Sequence, residues 1–393
     1  MPGNKVAITG FGVVSALGVG VEPFWNAVSV GRSGIRPIRG FEPFRFPNGA
    51  QVDGYIASEH FDDKRLMLVD RYAQYALVAA REAVAMSGRT QFDSIVTGCS
   101  AGGQDAMDAG FDDLYKKASP RVNPMMVPRV MSSGAASHMA MEFGVTGPVY
   151  SVSTACSSSN HAIGQAFHMV RGGMCDTALA GGCEAVFSYG FLKAWEAMRV
   201  VSSDTCRPFS KDRRGLILGE GAAMLVLENL EVAQARGATV YGEVAGFGMS
   251  SDAHHITQPL TTGAVRAMRA ALVDASLDRV DYVNAHGTGT AANDASESAA
   301  IREVLGGVVP VSSTKSVHGH ALGAAGALEA VATLLALHHG VIPPTANFTE
   351  ADLECDVDVV TQPRVVKLGS ALSNSFAFGG LNAVLVFTAP DAL

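Results

Sequence analysis

The chain passes from strand to helix within the stretch Val152-Ser153-Thr154-Ala155-Cys156-Ser157-Ser158-Ser159-Asn160. A β-type run ends there, small residues provide a tight turn, and an amphipathic stretch follows. A cysteine in such a turn lies at a helix N-terminus, where the helix dipole favours the thiolate, and a strained turn would expose it. The segment therefore predicts that Cys156 is a nucleophile, although a free cysteine is more often only a small core residue.

The same alternation of short apolar runs and longer amphipathic stretches continues along the chain. Strand-like runs occupy residues 6–8, 94–96, 149–152, 177–180, 223–227, 240–245, 282–285, 308–311 and 383–387. Helix-like stretches occupy residues 71–86, 160–171, 192–198, 263–274, 294–305 and 322–340. Strands that alternate with helices predict βαβ units whose sheets are covered by helices, so the expected fold class is α/β.

A short internal echo suggests a duplication. Val6-Ala7-Ile8-Thr9-Gly10-Phe11-Gly12 and Glu243-Val244-Ala245-Gly246-Phe247-Gly248 both lead from a β-run into Gly-Phe-Gly. We place one half over residues 1–240 and the other over residues 241–393. No Pro/Ser-rich linker separates them, so we expect the halves to pack as one body.

Two histidines and a lysine follow strand-like runs in the second half, as Cys156 does in the first. His286 begins a Gly/Thr loop after the run 282–285, and Lys315 and His320 follow the run 308–311. Ligands of α/β proteins collect at the carboxyl ends of strands. One histidine at such a place is usually structural, but reactive groups at three such places predict a common site.

Composition limits the classes of protein that fit. The chain has 393 residues, 48% hydrophobic, and a net charge of −8, which disfavours a non-specific nucleic-acid binder. No run of about 18 apolar residues is free of polar interruption, so we expect no membrane span. The N-terminus lacks the features of a secretory signal, and the six cysteines are scattered. These observations predict reduced thiols and a cytoplasmic location.

Neither a metal nor a nucleotide cofactor is expected. His318 and His320 flank Gly319, and two His-His pairs occur elsewhere. However, no H-E-x-x-H pattern or Cys/His quartet supplies the convergent ligands of a zinc site. The two Gly-Phe-Gly segments do not extend to the dinucleotide-binding glycine pattern, and no P-loop is present.

Five motifs together resemble the β-ketoacyl-acyl-carrier-protein synthases of the elongating Cys-His-His type, close to synthase II of that family. The motifs lie at residues 6–12, 153–157, 284–288, 313–320 and 374–380. The resemblance covers nearly the whole chain. It implies a thiolase-like fold, with duplicated βαβ-rich halves in five α-β-α-β-α layers, and a tight dimer.

The resemblance also implies a decarboxylative condensation in fatty acid or polyketide-like chain elongation. Cys156 would accept the acyl group from a carrier protein as a thioester. His286 and His320 would promote decarboxylation of malonyl-carrier protein and stabilise the enolate oxygen. No cofactor is implied beyond the phosphopantetheine arm of the carrier protein, which belongs to the substrate.

Three further residues receive roles from the resemblance. Lys315 would organise the site, paired with Glu329 in the following helix. Phe378 would act as a gate over the thiol. The backbone N–H groups of Cys156 and Phe378 would form an oxyanion hole.

The residues expected around the acyl tunnel depart from those of the long-chain housekeeping enzymes. Ala101 stands where those enzymes have a bulkier aliphatic residue, and Met126 and Trp195 stand where they tend to have Phe. Ala377 follows Phe376 where many relatives have Gly. These departures favour specialised synthases of the polyene or nodulation type, which build unusual or unsaturated chains.

Partners follow from the same resemblance. An acidic acyl carrier protein would dock on Lys64, Arg65 and Arg199, although residues 66–68 are apolar where relatives often have basic residues. The enzyme would be a homodimer, or a heterodimer with a ketosynthase-like partner subunit. One alternative is a non-catalytic chain-length partner subunit, which would lack the nucleophile. A degradative thiolase is another, and would need a second reactive cysteine.

Overall fold

The computed structural model describes residues 3–42, 44–52 and 54–390. Its strands are β1 Val6–Ser15, β2 Gly18–Val19, β3 Arg36–Pro37, β4 Asn48–Gly49, β5 Ser94–Gly98, β6 Val149–Val152, β7 Thr177–Glu184, β8 Gly221–Asn229, β9 Gly242–Ser251, β10 Tyr282–Asn284, β11 Pro310–Ser312, β12 Val341–Ile342, β13 Asp358–Val359, β14 Arg364–Val365, β15 Ser370–Ala377 and β16 Leu381–Thr388. Its helices are α1 Val21–Val28, α2 Asp63–Leu66, α3 Arg71–Ser87, α4 Gln104–Phe111, α5 Met126–Val130, α6 Gly134–Phe143, α7 Ser158–Arg171, α8 Tyr189–Met198, α9 Leu230–Ala235, α10 Thr261–Ala275, α11 Ala291–Leu305, α12 Lys315–His318 and α13 Ala325–His339.

Among the described residues, twelve strands form one continuous sheet made of two half-sheets. The first half-sheet has the order β6-β5-β7-β8-β1, and β2 pairs with the end of β1. The second has the order β13-β11-β10-β15-β16-β9. The half-sheets join where β1 runs antiparallel to β9, with Val6 opposite Val244 and Ile8 opposite Gly242.

The two half-sheets repeat one arrangement. Each has three neighbouring parallel strands, β6-β5-β7 or β11-β10-β15. Two antiparallel strands complete each half, β8 and β1 or β16 and β9. Helices α3 and α10 pack on β1 and β9, whereas α7 and α13 contact strands of both half-sheets and each other. This confirms the duplicated five-layer fold, while the boundary at residue 240 stays a prediction.

The Gly-Phe-Gly echo has a packing cause. Gly10 and Gly12 of β1 lie against the backbone of α3, and a Cβ atom at either position would overlap a carbonyl oxygen of that helix. Gly246 and Gly248 of β9 lie against α10 in the same way. Because glycine has no Cβ, each helix approaches its strand directly. The echo therefore marks equivalent helix-on-strand contacts in the two halves.

Two regions differ from or refine the sequence prediction. The helix expected over residues 322–340 begins with a 3-10 turn, Leu322–Ala324, and becomes α-helical only at Ala325. The C-terminal segment that contains the predicted gate residue Phe378 is a hairpin of β15 and β16. Gly379 and Gly380 form its turn with φ angles of 84° and 68°, which glycine adopts at little cost.

The segment Leu322–His339 is long and apolar enough to cross a membrane, despite the interruption by Glu329. The sequence predicted no membrane span here, because Glu329 interrupts the apolar run. In the structure, 89% of this segment is buried inside the protein. Its hydrophobicity is explained by its place in the middle layer, where both half-sheets cover it.

We expect Gly248→Ala to destabilise the protein by about 1–3 kcal/mol, because the new methyl group would overlap the Ala267 carbonyl oxygen of α10. Gly307→Ala is the matched control, since nothing lies within 4 Å of its Cβ position. Urea denaturation of both variants measures the difference. Equal stability of the two would contradict the packing explanation.

Candidate active site

Cys156 lies in the sharp turn between β6 and α7. Ala155, immediately before it, has a positive φ of 49°, a conformation that costs a non-glycine residue about 1–2 kcal/mol. Local hydrogen bonds hold the turn. The Ser158 hydroxyl donates to the Ala155 carbonyl oxygen at 2.7 Å, and the Thr154 N–H donates to Ser158 Oγ at 2.9 Å. The strained turn therefore presents the sulfur at the end of the strand.

The Cys156 residue is only 7% exposed. Burial raises the pKa of its thiol to about 11, while the Lys315 charge and the backbone N–H groups of Phe378 and Cys156 act in the opposite direction. Burial therefore outweighs the helix N-terminus that was expected to favour the thiolate. At neutral pH the sulfur keeps its proton, so a reaction at this group requires a proton acceptor.

His286 follows β10 and is held from two sides. Its backbone N–H donates to Glu297 Oε1 at 2.8 Å, and Lys315 Nζ donates to its ring Nδ1 at 3.2 Å. Burial, together with the Lys315 charge, holds the pKa of His286 well below its ordinary value, so the ring is neutral. Because Nδ1 accepts from a lysine, which can only donate, the ring proton is on Nε2.

His320 lies beside His286. Its backbone N–H donates to the Ile217 carbonyl oxygen at 2.7 Å, and the Gly219 N–H donates to the His320 carbonyl oxygen at 2.9 Å. The two imidazole rings are nearly perpendicular, with centroids 5.3 Å apart. Burial and the Lys315 charge lower the pKa of His320 well below its ordinary value. The site therefore contains two neutral imidazoles.

Lys315 and Glu329 form an ion pair in which neither side chain is exposed. Burial raises the pKa of Glu329 to about 7, against the lowering effect of the Lys315 charge. A buried charge left without its partner costs on the order of 3–5 kcal/mol. Glu329 on α13 thus stabilises the positive charge of Lys315, whose amino group donates a hydrogen bond to His286.

One pocket of ≈ 260 Å³ brings the reactive groups together. Cys156, His286 and His320 line it, with Trp195, Phe376 and Phe378 among the other lining residues. The rings of Trp195 and Phe378 are stacked with centroids 6.3 Å apart. A thiol from the first half and two imidazoles from the second therefore share one largely apolar space.

The other two predicted tunnel residues lie outside the lining of this pocket. Ala101 is half-buried in the loop after β5, where its N–H donates to Glu184 Oε1 at 3.1 Å. Met126 begins α5, and its side chain packs over Gly110 of α4. Their assignment to an acyl tunnel stays a prediction.

The three predicted docking residues occupy different environments. Arg65 is half-buried and pairs with Glu142 at 2.7 Å, whereas Lys64 beside it is exposed. Arg199 is exposed at the C-terminal end of α8, between the pocket-lining residues Met198 and Val200. Arg65 is therefore committed to an internal ion pair, and Arg199 lies at the mouth of the pocket.

Several residues of the site were not singled out in the sequence. Thr288 and Thr290 line the pocket, and their hydroxyls are 2.9 Å apart. Residues 255–259 also line the pocket. The Gly379 N–H donates to the Ile256 carbonyl oxygen at 2.7 Å, which attaches this segment to the turn between β15 and β16. Glu297 accepts hydrogen bonds from the loop that carries His286. Most glutamates in amphipathic helices are solvated, so nothing in the sequence marked Glu297 as a residue of the site.

No arrangement within the described ranges brings together three or more His, Cys, Asp or Glu side chains that could hold a metal ion. The six cysteines are all free and buried.

The family of the chain follows from comparison with known proteins. The model of the β-ketoacyl synthase N-terminal domain matches residues 3–233, and that of the C-terminal domain matches residues 241–349. The chain therefore belongs to the β-ketoacyl synthase family and is an acyl-transferring condensing enzyme. The resemblance inferred from the five motifs is confirmed.

Individual relatives resemble the chain over nearly its full length. Nodulation protein E of Rhizobium sp. (strain N33) is 46% identical over 98% of this chain and 99% of that protein. The 3-oxoacyl-[acyl-carrier-protein] synthase 2 of Synechocystis sp. (strain ATCC 27184 / PCC 6803 / Kazusa) is 38% identical over 98% of each. A solved structure described as "The ishigamide ketosynthase/chain length factor" has a TM-score of 0.94 and 37% identity, covering 98% of this chain and 99% of that chain.

We expect Lys315→Met to shift the alkylation of Cys156 to higher pH, because the Lys315 charge lowers the pKa of the thiol. The variant should also lose on the order of 3–5 kcal/mol of stability, since Glu329 is left buried without its partner. Iodoacetamide labelling of the Cys156 peptide across a pH series and urea denaturation measure the two effects.

The double variant Lys315→Met/Glu329→Leu is the control for this experiment. It removes both charges, so it should recover stability while the labelling profile remains shifted relative to that of the unmodified protein. A labelling profile unchanged in both variants would show that Lys315 does not act on the thiol.

Proposed function

We propose that this enzyme condenses an acyl group held on Cys156 with malonyl-acyl-carrier protein, releasing CO₂ and giving 3-oxoacyl-carrier protein. The reaction would serve fatty acid or specialised, polyene- or polyketide-like chain elongation. The observation that carries the proposal is the single pocket lined by Cys156, His286 and His320. Membership of the β-ketoacyl synthase family supports the same reaction.

Acyl transfer comes first. Cys156 Sγ forms a bond to the acyl carbon, and the bond from that carbon to the pantetheine sulfur breaks. The thiol proton passes through a neutral imidazole to the departing sulfur, so one thiol and one thioester remain. The backbone N–H groups of Cys156 and Phe378, which lower the pKa of the Cys156 thiol, are suited to donate to the oxyanion of the tetrahedral intermediate.

Decarboxylation creates the carbon nucleophile. The bond to the malonyl carboxylate breaks, CO₂ leaves, and the electron pair forms an enolate whose charge develops on the thioester oxygen. His286 can donate from Nε2 because Lys315 holds its Nδ1 at 3.2 Å, and His320 adds a second neutral ring. Such a fixed donor is worth roughly 10²–10³ in rate.

Condensation completes the cycle. The enolate carbon attacks the acyl carbon on Cys156, so a carbon–carbon bond forms and the carbon–sulfur bond breaks. The Cys156 thiolate leaves and takes up one proton from solvent, which balances the negative charge of the malonyl carboxylate lost as neutral CO₂, and so returns to the thiol. Because burial raises the pKa of this thiol to about 11, the protonated form is the resting state.

The walls of the pocket favour an apolar acyl chain. Trp195 and Phe378 stack at its surface, and the Phe376 ring lies 6.2 Å from that of His286. The similarity to Nodulation protein E and to the ishigamide ketosynthase supports a specialised rather than a housekeeping synthase. We infer a homodimer, or a heterodimer with a chain length factor like the one named with the ishigamide ketosynthase, in the cytoplasm.

The two alternative functions fit less well. A non-catalytic partner subunit would lack the nucleophile, whereas here Cys156 lines the same pocket as His286 and His320. A degradative thiolase would need a second cysteine at the site, but Cys156 is the only cysteine among the described residues that line the pocket. Cys355 belongs to a different core cluster.

Carrier-protein docking is best supported by arginines at the mouth of the pocket. Arg199 and Arg214 are both exposed, and neither has an ion-pair partner among the described residues. Their segments are neighbours, since the Leu216 N–H donates to the Val200 carbonyl oxygen at 3.0 Å. An acidic carrier protein on this surface would place its pantetheine arm beside Cys156.

Incubation with acyl-carrier proteins of several chain lengths should add the mass of the acyl group to Cys156, because that thiol accepts the acyl group. Intact and peptide mass spectrometry measure the adduct, and Cys156→Ala should form none and lose condensation. Cys175→Ala is the matched control and should keep the adduct. Absence of an adduct with every carrier protein would exclude the proposed function.

We expect Arg199→Ala and Arg214→Ala each to raise KM for the carrier-protein substrate about two- to fivefold, as for other exposed charge contacts. Added salt should reduce the difference from the unmodified enzyme, because it screens these contacts. Arg279→Ala is the control and should leave KM unchanged. Arg279 is also exposed, but it precedes β10, whereas His286 follows the other end of that strand. Equal KM values for all three variants would exclude docking at this surface.

A further inference from the structure

Glu184, the last residue of β7, has no role in the chemistry proposed above. Its side chain is fully buried, and no cation among the described residues pairs with it. Burial raises the pKa of Glu184, while hydrogen bonds from Ser100, Ala101 and Gly323 oppose that rise. A carboxylate buried without a cation is costly unless several donors surround it. Four hydrogen bonds from these residues provide that compensation, so the carboxylate acts as a junction between the segments that donate to it.

The donors to Glu184 come from two segments that are distant in sequence. Oε2 accepts the Ser100 N–H at 2.8 Å and the Gly323 N–H at 3.0 Å, and it also accepts the Ser100 hydroxyl. Oε1 accepts the Ala101 N–H at 3.1 Å. One carboxylate thus joins the loop after β5 to the turn that follows His320.

The same turn is attached to the helix of the nucleophile. The Gly323 carbonyl oxygen accepts the Ser159 hydroxyl, and Ser159 lies three residues after Cys156. A Cβ atom at Gly323 would lie 2.5 Å from both Glu184 Oε2 and the Ser100 nitrogen. Leu322, in a strained conformation with φ 45°, belongs to the same apolar cluster as Cys156. A side chain at residue 323 would therefore displace the Glu184 carboxylate or the Ser100 loop.

We propose that Glu184 is a positioning residue that determines which acyl chains the Cys156 thioester accommodates. Its carboxylate fixes the Ala101 loop and the Leu322 turn relative to the Cys156 helix, and Leu322 belongs to the apolar cluster that contains Cys156. This inference rests on the proposed function, because it concerns the acyl group that Cys156 would carry.

Glu184 has a second effect on the same sulfur. Its negative charge raises the pKa of the Cys156 thiol. Removal of this charge should therefore shift the ionisation of Cys156 to lower pH, opposite to the shift expected for the removal of Lys315. A residue whose role is only structural would not change this titration.

Glu184→Gln tests the proposal with two measurements. The amide keeps the size of the side chain, but its NH₂ group faces backbone N–H donors, so at least one anchor is released. We expect the ratio of Cys156 acylation rates for short and long acyl-carrier proteins to change about fivefold, as for the loss of one hydrogen bond. We also expect iodoacetamide labelling of the Cys156 peptide to begin at lower pH.

Glu82→Gln is the matched control. Glu82 also accepts two backbone N–H groups, from Val13 at 2.9 Å and Val21 at 2.8 Å, with no ion-pair partner among the described residues. However, Val13 and Val21 pack in a different apolar cluster from Cys156 and Leu322. This variant should lose stability in urea without a change in chain preference or labelling pH. If Glu184→Gln behaves as Glu82→Gln does, the proposal is overturned.

Ser100→Ala covers the case in which Glu184→Gln does not fold. It removes one donor from the loop and keeps the carboxylate, so chain preference should change in the same direction and labelling pH should not shift to lower values. An unchanged preference in Ser100→Ala would overturn the proposal. Acylation of the unmodified enzyme is measured alongside. If the unmodified enzyme is not acylated, the result counts against the proposed function. If it is acylated and the variants keep its chain preference, the result counts only against the role of Glu184.

Discussion

The contact between α7 and α13 in the middle layer is the constraint on which the site depends. Each helix follows a segment that carries chemistry, Cys156 before α7 and His320 before α13. Their first turns meet closely, since Gly326 packs against Asn160 where no Cβ would fit. Glycine at position 326 allows this close approach. The duplicated fold thus brings a thiol of one half beside the imidazoles of the other.

Burial within this layer sets the electrostatics of the site. It raises the pKa of the Cys156 thiol and lowers the pKa values of His286 and His320, so all three groups are uncharged at neutral pH. Among the described residues Lys315 is the cation that hydrogen-bonds to His286, and Glu329 compensates its charge. Charge that develops during a reaction therefore meets neutral donors and one fixed ion pair that are already in place.

The sequence predicted the parts of this arrangement that depend on local pattern. The αβ alternation, the Gly-Phe-Gly echo and the positions of Cys156, His286 and His320 at strand ends could all be read from it. The protonation state of the Cys156 thiol could not be predicted from the sequence. It is set by burial, which depends on both half-sheets and outweighs the effect of the helix N-terminus on the pKa. Glu184, Glu297 and the contact of residues 255–259 with Gly379 also escaped prediction, because each depends on partners that are distant in the chain.

The central position of β1 and α7 bears on how the chain acquires its structure during translation. The first half emerges from the ribosome with the face of α7 that later meets α13, and with the edge of β1 that later pairs with β9. Both surfaces stay uncovered until the remaining residues follow. A nascent chain that carries an exposed apolar helix and an open strand edge is prone to aggregate. The first half of the chain therefore carries two aggregation-prone surfaces during synthesis, which the second half covers once it has been translated.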